Sequence, residues 1–311
     1  MAHVLINCGI FVGFCAGTMV LLRPVLVRLF TAQQRVVLWY LCVGWYYMLS
    51  TIRTAGQFHL FLPFLQLPVH LYDLITTQTW RDSLYIYEFN RRIGPYYVDL
   101  TQVPYLDAVY FTVVLAICAW LIYRSVQTWK IRSLGTILPK DDPCIKHSDT
   151  NIEHINKIYV VENLPTSFVD GFNNIFLQKA YFGQQMYQIF LHEAEHINLH
   201  HATIKCVFSI MLVVYWWNPL LWLAFRYMVR DLELACDGAV LAKLRPEDRT
   251  SYAKTLVELG CGRQLWTQPL CFGECDAQLR VKAVLKWKPQ SRRLQIGRFA
   301  LMALVIWFFL G

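Results

Sequence analysis

The sequence predicts an α-helical integral membrane protein of about four spans that carries one α+β domain on the cytoplasmic side. Two compositional observations and one charge pattern lead there. Hydrophobic residues make up 56% of the 311 residues and charged residues only 16%, against about 45–50% and about 25% in soluble domains. The excess lies in long charge-free runs, so the bilayer is part of this chain's solvent. The basic residues, which give a formal net charge of +8, gather beside those runs: Arg23, Arg28 and Arg35, then Arg124, Lys130 and Arg132, then Lys286, Lys288, Arg292, Arg293 and Arg298. Basic clusters flanking apolar runs mark loops held on the cytoplasmic side. That pattern accounts for the charge, and no direct nucleic-acid binding is expected.

The elements follow in order. Residues 4–22 are almost wholly apolar, with no basic residue before them and no A-x-A site after them, which reads as an uncleaved first span. Residues 36–52, rich in Trp and Tyr, form a second span. Residues 53–104 are mixed and include Phe58–Tyr72, apolar but interrupted by Pro63 and Pro68; this suits an extracytoplasmic loop with an interfacial piece. Residues 105–123 form a third span. The polar region at 124–295 is placed in the cytoplasm by its flanking charges. Within it, Lys157–Val161 and Asn174–Leu177 have strand character, and Tyr187–His201 and Leu220–Lys243 read as helices. The run 299–310 is shorter than the ~20 residues a span needs, and Arg298 can lengthen it by snorkelling. The expected organisation is therefore 1–123 in the membrane, 124–295 as the cytoplasmic domain with a membrane-dipping hairpin near 203–229, where Asn218-Pro219 breaks a charge-free run, and 296–311 as a final short span.

Ten cysteines raise the question of disulfides. Cys8, Cys15, Cys42 and Cys118 lie inside apolar runs, and the other six lie in the segment placed in the cytoplasm. Reduced, packing cysteines are the expectation.

The chemistry is concentrated at His192-Glu193-Ala194-Glu195-His196. Helical residues four apart lie about 40° apart around the axis, so both imidazoles leave one face and can share a zinc ion. Glu193 is then placed to take a proton from a water that the metal activates. The plain alternative is an accidental H-E-x-x-H; the uninterrupted helical pattern around it favours the metal. Glu195 lies a further 200° round the helix from Glu193 and reads as a solvated or packing residue. A third ligand is required, with one position left open. The metzincin extension would place a histidine at position 202, where the chain has Ala202. Glu233 is the better candidate. It shares a helix face with Asp237, and a metal ligand at Glu233 with a carboxylate at Asp237 that hydrogen-bonds a ligand imidazole would account for both; a solvated acidic face is the alternative. His200 and His201 are candidate transition-state stabilisers, or else helix-end histidines near the C-terminal dipole. Asn174, Ile175, Phe176 and Leu177 are the candidate edge strand for a peptide substrate, or an ordinary core strand.

Taken together, this H-E-A-E-H, Asn218-Pro219-Leu220-Leu221-Trp222 and Glu233-Leu234-Ala235-Cys236-Asp237 resemble the BlaR/MecR family of membrane metallopeptidases, the gluzincin sensor-transducers of beta-lactam resistance. Ser251-Tyr252-Ala253 and Phe272-Gly273-Glu274 also resemble that family's later segments, and the likeness runs over about residues 1–310. The resemblance implies several spans plus a zincin-like (gluzincin) metalloprotease domain in the bacterial inner membrane. It implies one zinc ion per chain on His192, His196 and Glu233, with Glu193 as base. It also implies an antirepressor role: cleavage of a cytoplasmic transcriptional repressor, with self-cleavage as an accompanying step. Membrane lipid and that protein substrate are the expected partners, and a dimer is allowed. The best-known members continue into an extracellular penicillin-binding sensor domain, which these residues do not contain. Ser251-Tyr252-Ala253-Lys254 matches its S-x-x-K motif only by chance, since no S-D-N or K-T-G follows. Sensing is expected to fall to 53–104 or to a partner. Two other functions compete: a general membrane quality-control protease, and a non-enzymatic membrane scaffold, against which the intact motif argues.

Overall fold

A computed structural model of the chain describes residues 2–41, 103–142, 145, 152–162, 164, 166–262, 277–289 and 297–301. The expected loop at 53–104 and most of the expected spans at 36–52 and 299–310 lie outside the described residues. The chain forms two compact units: Met1–Cys118 with Ile210–Tyr227 and Gln290–Gly311, and Ala119–Ser209 with Met228–Pro289.

The first unit is helical among its described residues. Helix α1, Ala2–Leu29, carries the apolar run of 4–22. The next helical stretch, 32–41, opens on a reciprocal capping box. Gln34 N donates to Thr31 Oγ1 at 3.3 Å, and Thr31 N donates to Gln34 Oε1 at 3.0 Å, so two otherwise orphaned amides are satisfied. Helix α2, Leu106–Leu134, begins in this unit and is the one described helix long and apolar enough to cross a membrane. Its large apolar side chains, Val109, Leu115, Ile122 and Trp129 among them, are exposed on several sides. A helix apolar all round its surface is suited to lipid rather than water.

Gly9, Gly13 and Gly17 recur every fourth residue on α1 and let the corner at 215–220 approach closely. A Cβ at Gly13 would come within 2.3 Å of Asn218 Nδ2, and one at Gly9 within 2.6 Å of Trp217. Small residues at this spacing permit close backbone approach. Asn218 Nδ2 donates to Gly9 O at 2.7 Å, while its Oδ1 accepts from Leu220 N at 3.0 Å and Leu221 N at 3.3 Å. Asn218 is thus the N-cap of the following helix, and Pro219 takes the first helical position, where a missing N–H costs nothing.

The second unit contains a four-stranded sheet: β1, Thr136–Leu138; β2, Ile158–Val161; β3, Phe168–Val169; and β4, Ile175–Gln178. Its order is β1-β2-β4-β3. β2 runs parallel to β4, pairing Ile158 with Ile175, whereas β1 and β3 pair antiparallel. Helix α3, Gly183–Asn198, packs on one face through Ile189, Phe190, Ala194 and Ile197 against Ile158, Ile175 and Leu177. On the other face Phe176 is stacked between Tyr159 and Phe168 at centroid distances of 5.0 and 4.7 Å.

This sheet corrects one expectation. Asn174, Ile175, Phe176 and Leu177 do not form an edge. Asn174 precedes β4, which is hydrogen-bonded on both sides, and Ile175, Phe176 and Leu177 are buried. The edge beside α3 is instead β3. A second correction concerns the helix expected at Tyr187–His201. It ends at Asn198, because His200 adopts φ +54, the left-handed conformation that closes helices. Helix α4, His201–Val214, then departs at 64° to α3; together the bent pair is long and apolar enough to cross a membrane. Helix α5, Pro219–Lys243, helix α6, Asp248–Gly262, and helix α7, Ala277–Lys286, complete the described elements.

Candidate metal centre

Ten consecutive residues of α3, from Gln188 to Ile197, are buried, so the H-E-A-E-H turn is enclosed on every side. One side meets α5. His192 Nε2 lies 3.3 Å from Glu233 Oε2, and His196 Nε2 lies 3.5 Å from Glu233 Oε1. One ligand atom from each of the three residues falls within 4.8 Å of the others. Zinc bonds of ~2.0–2.1 Å at tetrahedral angles place neighbouring ligand atoms about 3.3 Å apart. The spacing, together with two imidazoles and a carboxylate as donors, fits that ion.

Asp237, one turn beyond Glu233, faces His192 from behind. Its Oδ1 is 3.3 Å from His192 Nδ1, the arrangement that fixes a ligand imidazole with Nε2 toward the metal. Tyr252 on α6 donates its hydroxyl to the same oxygen at 2.7 Å and lies 3.2 Å from His192 Nδ1. Arg280 on α7 closes the network. It donates from Nε to Asp237 Oδ2 at 2.8 Å and from Nη2 to Oδ1 at 2.6 Å, and its Nη1 is 3.1 Å from Glu233 Oε2. One buried guanidinium therefore grips both carboxylates of the α5 face.

The electrostatics follow from this packing. Burial alone would raise the Asp237 carboxyl, but the Arg280 charge and the hydrogen bonds from Arg280 and His192 hold it well below the usual carboxylate range. Glu233 is likewise opposed by burial and still held low, by the Arg280 charge and the hydrogen bond from His192. The two candidate ligand histidines diverge. His196 is pushed well below the usual imidazole value by burial and by the nearby Lys205 charge. His192 is opposed by burial and by Arg280, yet its hydrogen bonds to Asp237 and Glu233 carry it up to about 9.

Glu193 lines a cleft with His192, Thr166, Ser167, Tyr252 and Arg280. Thr166 and Ser167 lead directly into β3, so the cleft runs from Glu193 to that sheet edge. Glu195 points elsewhere and pairs with Lys243. The candidate stabilisers His200 and His201 are not in the cleft. His200 is exposed at the helix break. His201 stands behind His196, with its Nδ1 3.1 Å from His196 Nδ1. Tyr252 and Arg280 line the cleft instead. Arg280 was not legible from sequence. The one signal available was its position a turn before Val284, which is also buried.

Residues of this chain are 24% identical over 127 positions to the regulatory protein BlaR1 of Bacillus licheniformis, covering 39% of the chain and 21% of that protein. They are 25% identical over 95 positions to the methicillin resistance mecR1 protein of Staphylococcus aureus, covering 30% of the chain and 15% of the relative. The match to the Staphylococcus epidermidis mecR1 protein has the same identity and extent. Each similarity thus spans about a fifth or less of the curated relative. The family likeness is far broader: the description BlaR1 peptidase M56 matches from residue 14 to residue 284, a stretch that contains both metal-centre helices and Arg280. With most of its length accounted for in this way, the chain belongs to the BlaR1 peptidase M56 family.

Proposed function

We propose that the protein is a zinc-dependent endopeptidase of the bacterial inner membrane that transduces a signal by cutting a cytoplasmic protein at a specific site. Membership of a peptidase family and similarity to proteins named as regulators support the class. The observation that carries the chemistry is the convergence of His192 Nε2 and His196 Nε2 on the Glu233 carboxylate, at 3.3 and 3.5 Å, beside a cleft that holds Glu193.

The residues divide the work as follows. His192, His196 and Glu233 would hold the zinc, with Asp237 and Arg280 fixing two of them. Bound zinc would supply Lewis-acid polarisation and a water acidic enough to ionise near neutral pH. Glu193 accepts a proton in the cleft and returns it to the departing amine. A peptide would pair with the outer edge of β3, next to Thr166 and Ser167, as an added strand. The substrate class is a cytoplasmic transcriptional repressor, with self-cleavage as an accompanying step. In this reading four spans flank a zincin-like domain at 124–295, and a hairpin near 203–229 dips into the membrane on its cytoplasmic side.

The test compares newly formed protein N-termini in cells expressing the wild type or Glu193→Gln. A short list of cytoplasmic cleavages that vanishes in the variant, while its zinc content is unchanged, is the expected result. A broad list drawn from membrane proteins would replace this reading with quality control. Cleavages that persist in the variant would remove Glu193 from the mechanism.

A further inference from the structure

Behind the metal centre lies a second cluster of ligating side chains, which shares His196 with it and adds two residues that the peptidase chemistry does not use. It joins the end of α3, the start of α4 and the middle of α5. His196 Nδ1, the nitrogen turned away from Glu233, is 3.1 Å from His201 Nδ1, and Cys236 Sγ is 3.4 Å from the same His201 nitrogen. One ligand atom from each of the three falls within 4.8 Å of the others. All three residues are buried, Cys236 and His201 almost completely.

We propose that His196, His201 and Cys236 form a second metal site, selective for a soft thiophilic cation of the copper(I) type, whose occupation withdraws His196 from the zinc position.

The donor set carries the selectivity. Two imidazoles and a thiolate, the latter formed as the cation displaces the Cys236 thiol proton to solvent, exclude hard cations, which take oxygen ligands. A trigonal set of two histidines and a cysteine suits copper, and thiolate sulfur favours copper(I) among soft ions. The spacing agrees. Bonds of about 2.0 Å to nitrogen and about 2.3 Å to sulfur imply N···N and N···S separations of about 3.3 and 3.5 Å at tetrahedral angles, and somewhat more in a trigonal plane. The observed separations of 3.1 and 3.4 Å are close enough for small side-chain shifts to seat an ion. His201 Nε2 is buried with no hydrogen-bond partner among the described residues, so no competing bond on that nitrogen resists such a shift.

The exclusion follows from the imidazole itself. A neutral ring has one lone pair and one N–H. While Nε2 of His196 is a zinc ligand, Nδ1 keeps its proton and donates to His201. A soft cation on Nδ1 needs that lone pair, so the proton moves to Nε2, where Glu233 Oε1 at 3.5 Å is placed to accept it. The copper site stands on its own donors, and only the competition clause rests on the zinc reading given above.

The experiment uses the full chain in detergent under reducing, oxygen-free conditions. Copper(I) is supplied from a chromogenic chelator, and bound zinc is measured in parallel. Wild type is expected to take one copper(I) and release one zinc. Cys236→Ala is expected to weaken copper binding by more than about 100-fold, beyond the ~10–100-fold that loss of a mere outer hydrogen-bond partner costs, while keeping its zinc. Cys271 and Cys275, spaced C-x3-C in the sequence, are the other thiol pair to exclude, and a Cys271→Ser/Cys275→Ser variant is expected to match wild type. If Cys236→Ala does not fold, X-ray absorption of copper-loaded wild type decides, with one sulfur and two nitrogen neighbours expected. Copper binding unchanged in Cys236→Ala, or a shell of two or more sulfurs, would overturn the site. Retention of one zinc and one copper together would overturn the exclusion. A chain that holds no zinc yet binds copper through Cys236 would sink the zinc reading and leave the soft-metal site standing.

Discussion

Replacing Asp237 by asparagine tests the network that links the metal centre to α7. The side chain keeps its shape but loses the charge that faces Arg280 through contacts of 2.6 and 2.8 Å. Removing one partner of a buried ion pair costs about 3–5 kcal/mol, because the other charge is left uncompensated. Glu233 remains 3.1 Å from Arg280 Nη1, which places the expectation at the lower end, about 3 kcal/mol. For a unit of this size each kcal/mol moves Tm by about 2–4 °C, so a fall of roughly 6–12 °C is expected. Thermal unfolding should be followed in detergent with zinc chelated, so that lost metal binding does not add to the shift. Zinc affinity, measured separately, should fall about 10–100-fold as His192 loses its anchor. A double variant, Asp237→Asn/Arg280→Met, removes both charges. It should recover most of the Tm while leaving zinc binding weak, because stability depends on the pairing and affinity on the carboxylate. A single variant within about 2 °C of wild type, or a double variant that unfolds below the single, would show that this ion pair is not what ties α7 to α5.

Four further outcomes are expected. Glu233→Ala should lose zinc from the purified protein, read by metal analysis; unchanged content would remove Glu233 from the site. Below about 9 the His192 proton competes with the metal, so apparent zinc affinity should rise about tenfold per pH unit as the solution is made more basic toward that value, and flatten above it; a flat profile across neutral pH would show that His192 gives up no proton. Gly13→Val forces a Cβ to within 2.3 Å of Asn218 and should cost about 1–3 kcal/mol in thermal stability, whereas Gly171→Ala, with open space around it, should cost little. Finally, single cysteines at Lys205 and Lys243 in a background lacking exposed cysteines should both label from the cytoplasmic face. Labelling from opposite faces would contradict the shared site of His192 and Glu233.

What the sequence determined by itself was local. Two histidines four apart share a helix face in any helix, so the H-E-A-E-H pair was legible before the structure. Glu233 and Asp237 were legible for the same reason, as a carboxylate pair on one face. The helix expected at Leu220–Lys243 was legible as a continuous helix-compatible run, and α5 starts one residue earlier, at Pro219. The apolar run of α2 was legible because a span is contiguous. Tertiary structure decided everything that depends on which segments meet. Whether the strand at Ile175–Gln178 is central or at an edge depends on its partners β2 and β3, and nothing in its own composition states that. Arg280 grips Asp237 from 43 residues away on another helix, and an arginine in an amphipathic helix gives no local sign that it is buried. His201 reached the back of His196 only because His200 turns left-handed and redirects the chain by 64°. A histidine in that conformation lacks the sequence signature of the glycine that usually closes a helix there, so the bend, and the Cys236 cluster it creates, could be seen only in the fold.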